Sequence, residues 1–429
     1  MRDTSSPMTD IESPRSALLH AKAGWGVVAI VFLTLTEVIP AEVTTLIVAI
    51  VVLGVIGYRR GRIERTVIWL ALPFALLFSI GLLAARGNPP VAILRDAWYV
   101  LRVAGVIAVG YWTAGHIGLR RLLELVIVSG VAVSLWQLGQ IAVDPSVLVE
   151  NIHEARRELG SGYFAIPMAL GVCSVVHRFG WGRRIWFVNF QVPLLLLLTA
   201  ALAVTFSRSQ LIAAALITST MYGAFVRLNL RTIIAGTTMI GVFLVIIVTT
   251  PASEMSGSGI TLRGKFARSF TEIAVQDYTT MPDINENWRG FETYKALQTY
   301  LQGTAKEKVV GRGLGTAVDL GFEMKLGGGT FERITNLHNG YAFLLVKTGP
   351  FGLAVVCAFF MVLLIAAARC SVTARDADSL AAARLMAGAT WVLILTTLVI
   401  DGLLNGTSVV PVQFLLGCSI ALLGREGHD

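Results

Sequence analysis

The sequence HNGYAFLLVKTGPFGLAVVCAFFMVLLIAAA, residues 338–368, joins a long polar segment to a long apolar run. A continuous helix from Asn339 to Ala368 would extend about 45 Å, whereas the hydrocarbon core of a bilayer is ~30 Å thick. Proline kinks or breaks a helix interior, so Lys347-Thr-Gly-Pro350 predicts a break between an outer half-helix and the membrane crossing. His338 is therefore predicted to stand above the bilayer, at the boundary between water and lipid.

The composition of the whole chain is that of a membrane protein. Its 429 residues are 55% hydrophobic and 14% charged, with a mean hydropathy of +0.70. Apolar runs long enough to cross a bilayer recur, and strand-like alternation is missing. We therefore predict an all-α, polytopic integral membrane protein with about twelve transmembrane helices and a long external loop subdomain. The predicted segments are residues 25–39, 43–58, 67–85, 98–118, 122–143, 163–176, 186–205, 210–226, 233–249, 351–368, 386–404 and 409–423.

The distribution of basic residues predicts which side each connection faces. Short connections on the side of the two termini contain 18 Lys and Arg residues, and those on the opposite side contain five. Because basic loops stay in the cytoplasm, both termini are predicted to be cytoplasmic. The predicted regions are a cytoplasmic tail (1–22), helices one to nine (23–250), a periplasmic-type loop subdomain (251–338), helices ten to twelve (339–424) and a cytoplasmic C-terminus (425–429). The loop also contains a predicted amphipathic helix at residues 288–301.

Several other function classes are not favoured. The net charge of +8 arises mostly in short loops between apolar runs, so topology explains it and no nucleic-acid partner is expected. The polar N-terminal tail has no signal-peptide pattern, and the four cysteines have no disulfide or zinc-site spacing. The run Gly311-Arg-Gly-Leu-Gly315 has no flanking strand and helix of a nucleotide-binding unit, so it is not interpreted as a phosphate loop.

Among six histidines, only His153 and His338 are predicted to face the outside. His153 lies in the charged stretch 150–158, where a solvated helix face is the favoured interpretation. His338 directly precedes a predicted helix, whose dipole favours the neutral imidazole that can accept a proton. Two interpretations of His338 stay open from spacing alone: a general base for a hydroxyl, and a helix cap or interfacial anchor.

Four outward-facing arginines indicate an anionic ligand. They are Arg157, Arg208, Arg289 and Arg312. Arginine pairs bidentately with phosphate oxygens, although surface arginines also snorkel or bind lipid phosphate. Arg102 lies inside a predicted segment, so it should face the bundle interior, with Asp96 as a candidate partner. The external loops have no Asp-x-Asp pair beside histidine, so we expect metal-independent chemistry in which arginine stabilises a pyrophosphate, and no cofactor.

The sequence resembles the O-antigen ligase and polymerase superfamily of bacterial inner-membrane glycosyltransferases. The matching stretches are Arg157-Glu-Leu-Gly-Ser-Gly-Tyr-Phe164, Thr205-Phe-Ser-Arg-Ser209, Trp288-Arg289, Val310-Gly-Arg-Gly-Leu-Gly315, His338-Asn-Gly-Tyr341 and Gly349-Pro-Phe-Gly352. The resemblance covers roughly residues 157–368 and depends on the order and sidedness of the motifs. The first 150 residues match only in their hydrophobic pattern, so site residues there, such as Arg86 or Arg95, are not carried over.

The resemblance implies a metal-independent, inverting enzyme of the inner membrane, with a helical fold related to membrane-integral glycosyltransferases. Its donor would be an undecaprenyl-diphosphate-linked glycan, and in the ligase branch its acceptor would be a sugar hydroxyl of lipid A-core. His338 would be the general base, and Arg289 and Arg208 would hold the diphosphate. Arg157, Arg312 and Asn339 would be further phosphate or glycan contacts. The periplasmic face would carry the site, among membrane lipids.

Two alternatives stay open. A polymerase of the same superfamily differs only in its acceptor, which local motifs do not identify. A transporter of lipid-linked glycan would carry broken helices in paired halves; the break at 347–350 has no predicted counterpart.

Overall fold

The computed structural model describes residues 14–59, 63–145, 163–180, 190–205, 207–226, 275, 278, 280–326, 329–400, 402–404 and 407–424. Within these ranges the protein is mostly helical. The helices that cover the predicted apolar segments are α1 (Pro14–Ile30), α2 (Thr36–Val38), α3 (Ala41–Tyr58), α4 (Arg65–Ala84), α5 (Pro90–Val143), α6 (Ala165–Val175), α7 (Gln191–Val204), α8 (Arg208–Met221), α12 (Gly340–Thr373), α13 (Ala377–Ile400) and α14 (Val410–Gly424). A π-helical stretch, Val31–Leu35, joins α1 to α2.

Four described helices, α4, α5, α12 and α13, are long and apolar enough to cross a membrane. Shorter apolar helices accompany them. This supports the prediction of a helical membrane protein. Eleven of the twelve predicted segments overlap described helices, and segment 233–249 lies outside the described residues.

Two glycines break the long helices where the sequence pattern changes. Helix α5 runs through 54 residues, but Gly118 has φ 76° and ψ 168°, which separates the two predicted segments 98–118 and 122–143. Helix α12 is broken at Gly349, with φ 68° and ψ −173°, directly before Pro350. Positive φ is readily adopted only by glycine. The predicted break at 347–350 is therefore confirmed, with a first arm at residues 340–348.

Close helix approach at small residues builds the core of the bundle. A Cβ atom on Gly110 in α5 would lie 2.1 Å from the carbonyl oxygen of Phe414 in α14. A Cβ atom on Gly417 would likewise lie 2.0 Å from the carbonyl oxygen of Ile107. Such contacts let backbones approach closely, as is typical of membrane helix interfaces. The Phe414 ring also stacks on Phe32, with ring centroids 5.2 Å apart.

The polar segment before α12 forms a small subdomain with its own apolar cluster. It comprises α9 (Met281–Glu286), α10 (Trp288–Leu301), α11 (Glu307–Val310), β1 (Val318–Leu326) and β2 (Gly329–Ile334). Helix α10 confirms the predicted amphipathic helix. The buried cluster contains Tyr278, Ile284, Phe291, Leu320 and Met324.

The antiparallel β1–β2 hairpin was missed in the sequence. Its register pairs Val318 with Ile334 and Met324 with Phe331, with a shift between these pairs. The expectation that strand-like alternation is missing was wrong here, because apolar residues alternate along VDLGFEMKL, residues 318–326. The hairpin packs on α10 through Leu320 and Met324, and its Val318 joins the buried cluster of the long apolar helices.

Candidate active site

The centre of the site is a histidine–carboxylate pair formed by His338 and Glu292. His338 lies between β2 and α12, two residues before α12 begins, and Glu292 lies on α10. The Nδ1 atom of His338 is 2.9 Å from Oε2 of Glu292. The backbone N–H of His338 donates to the same oxygen, at 3.1 Å. The carboxylate therefore holds both the ring and the backbone of His338.

The burial of the two side chains differs sharply. The Glu292 side chain is 2% exposed, whereas that of His338 is 50% exposed. An ionised carboxylate only accepts hydrogen bonds, so it favours the ring form with the proton on Nδ1 and the lone pair on Nε2. A positioned carboxylate also stabilises the imidazolium that forms when Nε2 accepts a proton. The pair thus has the parts of a general base with its orienting group.

Glu292 was not singled out in the sequence. It lies 46 residues before His338, and no local pattern connects the two positions. It is three residues after Arg289 in the predicted amphipathic helix. That helix was the only feature near Glu292 that the sequence indicated. Its burial beneath a histidine is decided by how α10 packs against the start of α12.

Asn339 caps helix α12. Its Oδ1 accepts hydrogen bonds from the backbone N–H groups of Tyr341 and Ala342, at 3.1 and 3.2 Å. Its Nδ2 is 3.5 Å from Oγ1 of Thr293 in α10. The cap interpretation considered for His338 therefore applies to Asn339, which also ties α12 to the helix that carries Glu292. Capping occupies the acceptor of the side chain predicted to bind substrate.

Arg289 lies on the same face of α10 as Glu292. Residues three apart are neighbours on a helix surface. The half-buried Arg289 side chain therefore leaves α10 beside the side chain of Glu292, whose carboxylate holds His338. The Arg289 carbonyl accepts a hydrogen bond from Thr293 Oγ1, at 2.8 Å. The structure thus puts one predicted phosphate-binding arginine on the helix that carries Glu292, the partner of the predicted base.

Arg312 contacts the other end of α10. Its Nη1 donates to the carbonyl oxygen of Thr299 at 3.2 Å, and its Nε lies 3.9 Å from Oε2 of Glu307. Seven residues separate Thr299 from Glu292, about 10 Å along a helix. The backbone N–H of Thr304 and, to a smaller extent, Arg312 lower the pKa of Glu307. Arg312 therefore joins α10 to the following loop, about two turns from the dyad.

Arg208 begins helix α8, and the packing of α8 on α13 places it at the end of the bundle that carries the dyad. The two helices are antiparallel. Nη1 of Arg384 donates to the Met221 carbonyl at 2.9 Å, and a Cβ on Gly388 would lie 2.4 Å from Cδ1 of Ile217. Nine residues back from Ile217, Arg208 lies about 14 Å further toward the C-terminal end of α13.

At that same end of α13, the Tyr341 hydroxyl donates to the Ile394 carbonyl, at 3.0 Å. Tyr341 lies three residues after His338, so the dyad and Arg208 share one end of the bundle. Arg157 lies outside the described residues.

The glycine-rich run 311–315 joins the subdomain to the membrane helices. The backbone N–H groups of Arg312, Gly313 and Leu314 donate to the carbonyls of Val346, Lys347 and Gly81, at 2.8, 3.0 and 2.9 Å. A Cβ on Gly313, which has φ +88°, would lie 2.3 Å from the backbone nitrogen of Ala85. Glycine is needed because the two backbones touch. The run is a structural junction, consistent with its rejection as a phosphate loop.

A buried ion pair lies directly under this junction. Nζ of Lys347 is 2.8 Å from Oδ2 of Asp96, and both side chains are at most 1% exposed. The Gly315 N–H also donates to Oδ2 of Asp96, at 2.7 Å, and Lys347 Nζ donates to the Thr316 carbonyl. The predicted pairing of Asp96 with Arg102 was wrong, because Lys347 approaches Asp96 from the first arm of α12 and Nη2 of Arg95 lies 3.7 Å from its Oδ1.

Arg102 is buried, as predicted, and its Nη2 donates to the carbonyl oxygen of Leu404 at 2.8 Å. Arg95, which the sequence left aside, reaches the active-site segment. Its Nη2 donates to Oγ1 of Thr335, three residues before His338. No motif connected Arg95 with that segment, because the first part of the chain resembled the family only in hydrophobicity.

Within the described ranges, no three or more His, Cys, Asp and Glu side chains group together as a metal site would require. No protein-family model matches the chain, and no curated protein matches it.

Proposed function

We propose that this protein is a membrane-embedded glycosyltransferase of the O-antigen ligase type. It transfers a glycan from undecaprenyl diphosphate to a sugar hydroxyl of lipid A-core. The observation that carries the proposal is the Glu292–His338 dyad, which has a half-exposed imidazole at one end of a bundle of apolar helices. A base in that position meets an acceptor sugar hydroxyl and a lipid-anchored donor at the same point. The motif resemblance around His338 and Arg289 supports the same class.

In the proposed reaction, the acceptor hydroxyl oxygen attacks the anomeric carbon of the donor sugar and forms the new glycosidic bond. Nε2 of His338 accepts the hydroxyl proton, and Glu292 stabilises the resulting imidazolium. The bond between the anomeric carbon and the diphosphate oxygen breaks, and its electron pair leaves with undecaprenyl diphosphate. Attack opposite to the leaving group inverts the anomeric configuration. The proton on His338 then passes to water, which restores the base.

Arginine side chains are proposed to stabilise the leaving group. Arg289 neighbours Glu292 on α10, and Arg208 lies at the same end of the bundle, which supports the proposal that both bind one diphosphate. Guanidinium donors in a partly desolvated site stabilise negative charge that develops on the leaving oxygens. The reaction is proposed to need no metal ion. Transfer that persists with excess chelator supports this, and strict dependence on added Mg²⁺ contradicts it.

The proposed location is the bacterial inner membrane, with both termini in the cytoplasm and the dyad on the periplasmic side. The excess of Lys and Arg in the connections on the side of the termini supports this orientation. Labelling of single cysteines introduced at exposed positions of the hairpin, such as Glu332, tests it. Labelling of intact spheroplasts by an impermeant reagent is expected, and labelling only after lysis contradicts the orientation.

The decisive experiment is a transfer assay with purified protein in nanodiscs, undecaprenyl-diphosphate-linked glycan and lipid A-core. Formation of lipopolysaccharide supports ligation. Chain lengthening without lipid A-core identifies a polymerase, and glycan translocation without any transfer identifies a transporter. His338→Ala is expected to abolish transfer, whereas His177→Ala, at an exposed histidine, serves as the matched control. Full transfer by His338→Ala removes the base assignment.

A further inference from the structure

Residues 335–339, which contain His338, form a short linker between β2 and α12. Helix α10 holds the second half of this linker. Glu292 in α10 accepts hydrogen bonds from Nδ1 and from the backbone N–H of His338. The next residue, Asn339, is tied to the same helix, since its Nδ2 lies 3.5 Å from Oγ1 of Thr293.

The first half of the linker is held by a different element, the start of helix α5. Nη2 of Arg95 donates to Oγ1 of Thr335. One helical turn further along α5, the Tyr99 hydroxyl accepts a hydrogen bond from Nδ2 of Asn336, at 3.4 Å. Arg95 and Tyr99 lie on one face of α5, because they are four residues apart. This face therefore contacts the first two residues of the linker.

Leu337, at the centre of the linker, is anchored by apolar contacts. Its side chain is buried and belongs to the cluster that the long apolar helices form. The side chain of the next residue, His338, is 50% exposed. His338 therefore presents an accessible imidazole from a linker whose other side chains contact helices.

Asp96 fixes the direction of the Arg95 side chain. Nη2 of Arg95 lies 3.7 Å from Oδ1 of Asp96, and Nζ of Lys347 lies 2.8 Å from Oδ2 of the same carboxylate. Lys347 follows His338 by nine residues, on the first arm of α12, whereas Thr335 precedes it by three. One buried carboxylate therefore anchors the chain on both sides of His338, directly through Lys347 and indirectly through Arg95.

We propose that Arg95 is a positioning residue for His338. By holding Thr335, it keeps the linker in the conformation that presents Nε2 of His338 to the acceptor hydroxyl. Thr335 is at most about 10 Å along the chain from His338, and a displacement of about 1 Å at a reacting group is enough to slow a reaction strongly. The inference rests on the proposed function, in which His338 is the general base.

The test compares Arg95→Met, Thr335→Val and the double variant in the transfer assay, with the full-length protein in nanodiscs. Arg95→Met removes the donor, while Lys347 still pairs with Asp96. Each single variant is expected to lower kcat about tenfold with little change in KM, as loss of one hydrogen bond from a charged group predicts. The double variant should be no slower than the slower single variant, because both changes remove the same contact. Arg95→Lys, which keeps a charged donor, should recover most of the rate.

Two controls match these variants in chemistry. Arg120→Met changes an exposed arginine of α5, and Thr330→Val changes an exposed threonine of β2, and both should keep the wild-type kcat. Wild-type kcat of Arg95→Met overturns the proposal, as do additive losses in the double variant. A raised KM of Arg95→Met with wild-type kinetics of Thr335→Val also overturns it, because Arg95 would then contact substrate directly.

Hydrogen–deuterium exchange tests the position of His338 without turnover. Peptides that contain residues 335–339 should exchange faster in Arg95→Met and Thr335→Val than in the wild type, because a released linker frees the His338 N–H from Glu292. The two controls should exchange at the wild-type rate. Unchanged exchange in both linker variants overturns the proposal. Faster exchange in a protein that transfers no glycan to any acceptor overturns only the proposed function.

Discussion

Replacement of Glu292 by glutamine isolates the contribution of its negative charge to the proposed base. Both hydrogen bonds from His338, from Nδ1 and from the backbone N–H, end on one oxygen of Glu292. A glutamine carbonyl oxygen in that place can accept both, so the shape of the site is kept. Only the stabilisation of the imidazolium is lost. The expected result is a lower kcat for glycan transfer with little change in the KM of either substrate.

The size of the effect follows from the burial of the pair. A hydrogen bond to a charged group contributes about 1.5–3 kcal/mol, and solvent around an exposed partner reduces it. Glu292 is buried but His338 is half exposed, so the lower part of that range applies, about 1.5–2 kcal/mol. This corresponds to a roughly 10- to 30-fold fall in kcat. Glu292→Ala, which removes the hydrogen bonds as well, should lower kcat further and shift the melting temperature downward.

Initial rates of lipopolysaccharide formation in nanodiscs, measured at saturating donor and acceptor, provide the assay. Glu332→Gln makes the same chemical change at an exposed strand position of the subdomain and should leave kcat unchanged. Melting curves of each variant separate loss of chemistry from loss of fold. If Glu292→Gln and Glu292→Ala both keep the wild-type kcat while His338→Ala is inactive, the orienting role of the carboxylate is refuted.

Three further substitutions test other parts of the site. Arg289→Lys keeps the charge but loses the planar fork, so transfer should fall about tenfold or more; unchanged kcat/KM would exclude Arg289 from the diphosphate site. Lys347→Met removes the close cation of the buried Asp96 carboxylate and leaves only Arg95, whose Nη2 lies 3.7 Å away, as a charged partner, so it should cost about 3 kcal/mol of stability, part of which Asp96→Asn should restore; additive losses in chemical unfolding would contradict this. Gly349 has φ +68°, and a Cβ there would lie 2.3 Å from the carbonyl oxygen of Val309, so Gly349→Ala should lower the melting temperature strongly. Gly139→Ala is the control, because a Cβ at Gly139 would have no atom within 4 Å, and it should not lower the melting temperature.

Local sequence patterns were sufficient for the helices. Apolar runs specify membrane segments because unpaired backbone groups are excluded from hydrocarbon, so eleven predicted segments overlap helices. The break before Pro350 and the amphipathic helix α10 follow from equally local chemistry. The hairpin β1–β2 was missed although its alternation is present in the sequence, because residues 251–338 were predicted as a loop subdomain with only the helix 288–301 in it.

The sequence by itself determined the helical membrane architecture and the histidine at a helix start, since both depend on neighbours within a few residues. The site identified from sequence was incomplete. Glu292, Arg95 and the partner of Asp96 depend on contacts across 46, 240 and 251 positions, respectively. Only tertiary packing brings such positions together, because side chains distant along the chain meet where helix faces and loop junctions bury them. That packing placed a carboxylate beneath His338 and turned an exposed imidazole into an oriented base candidate.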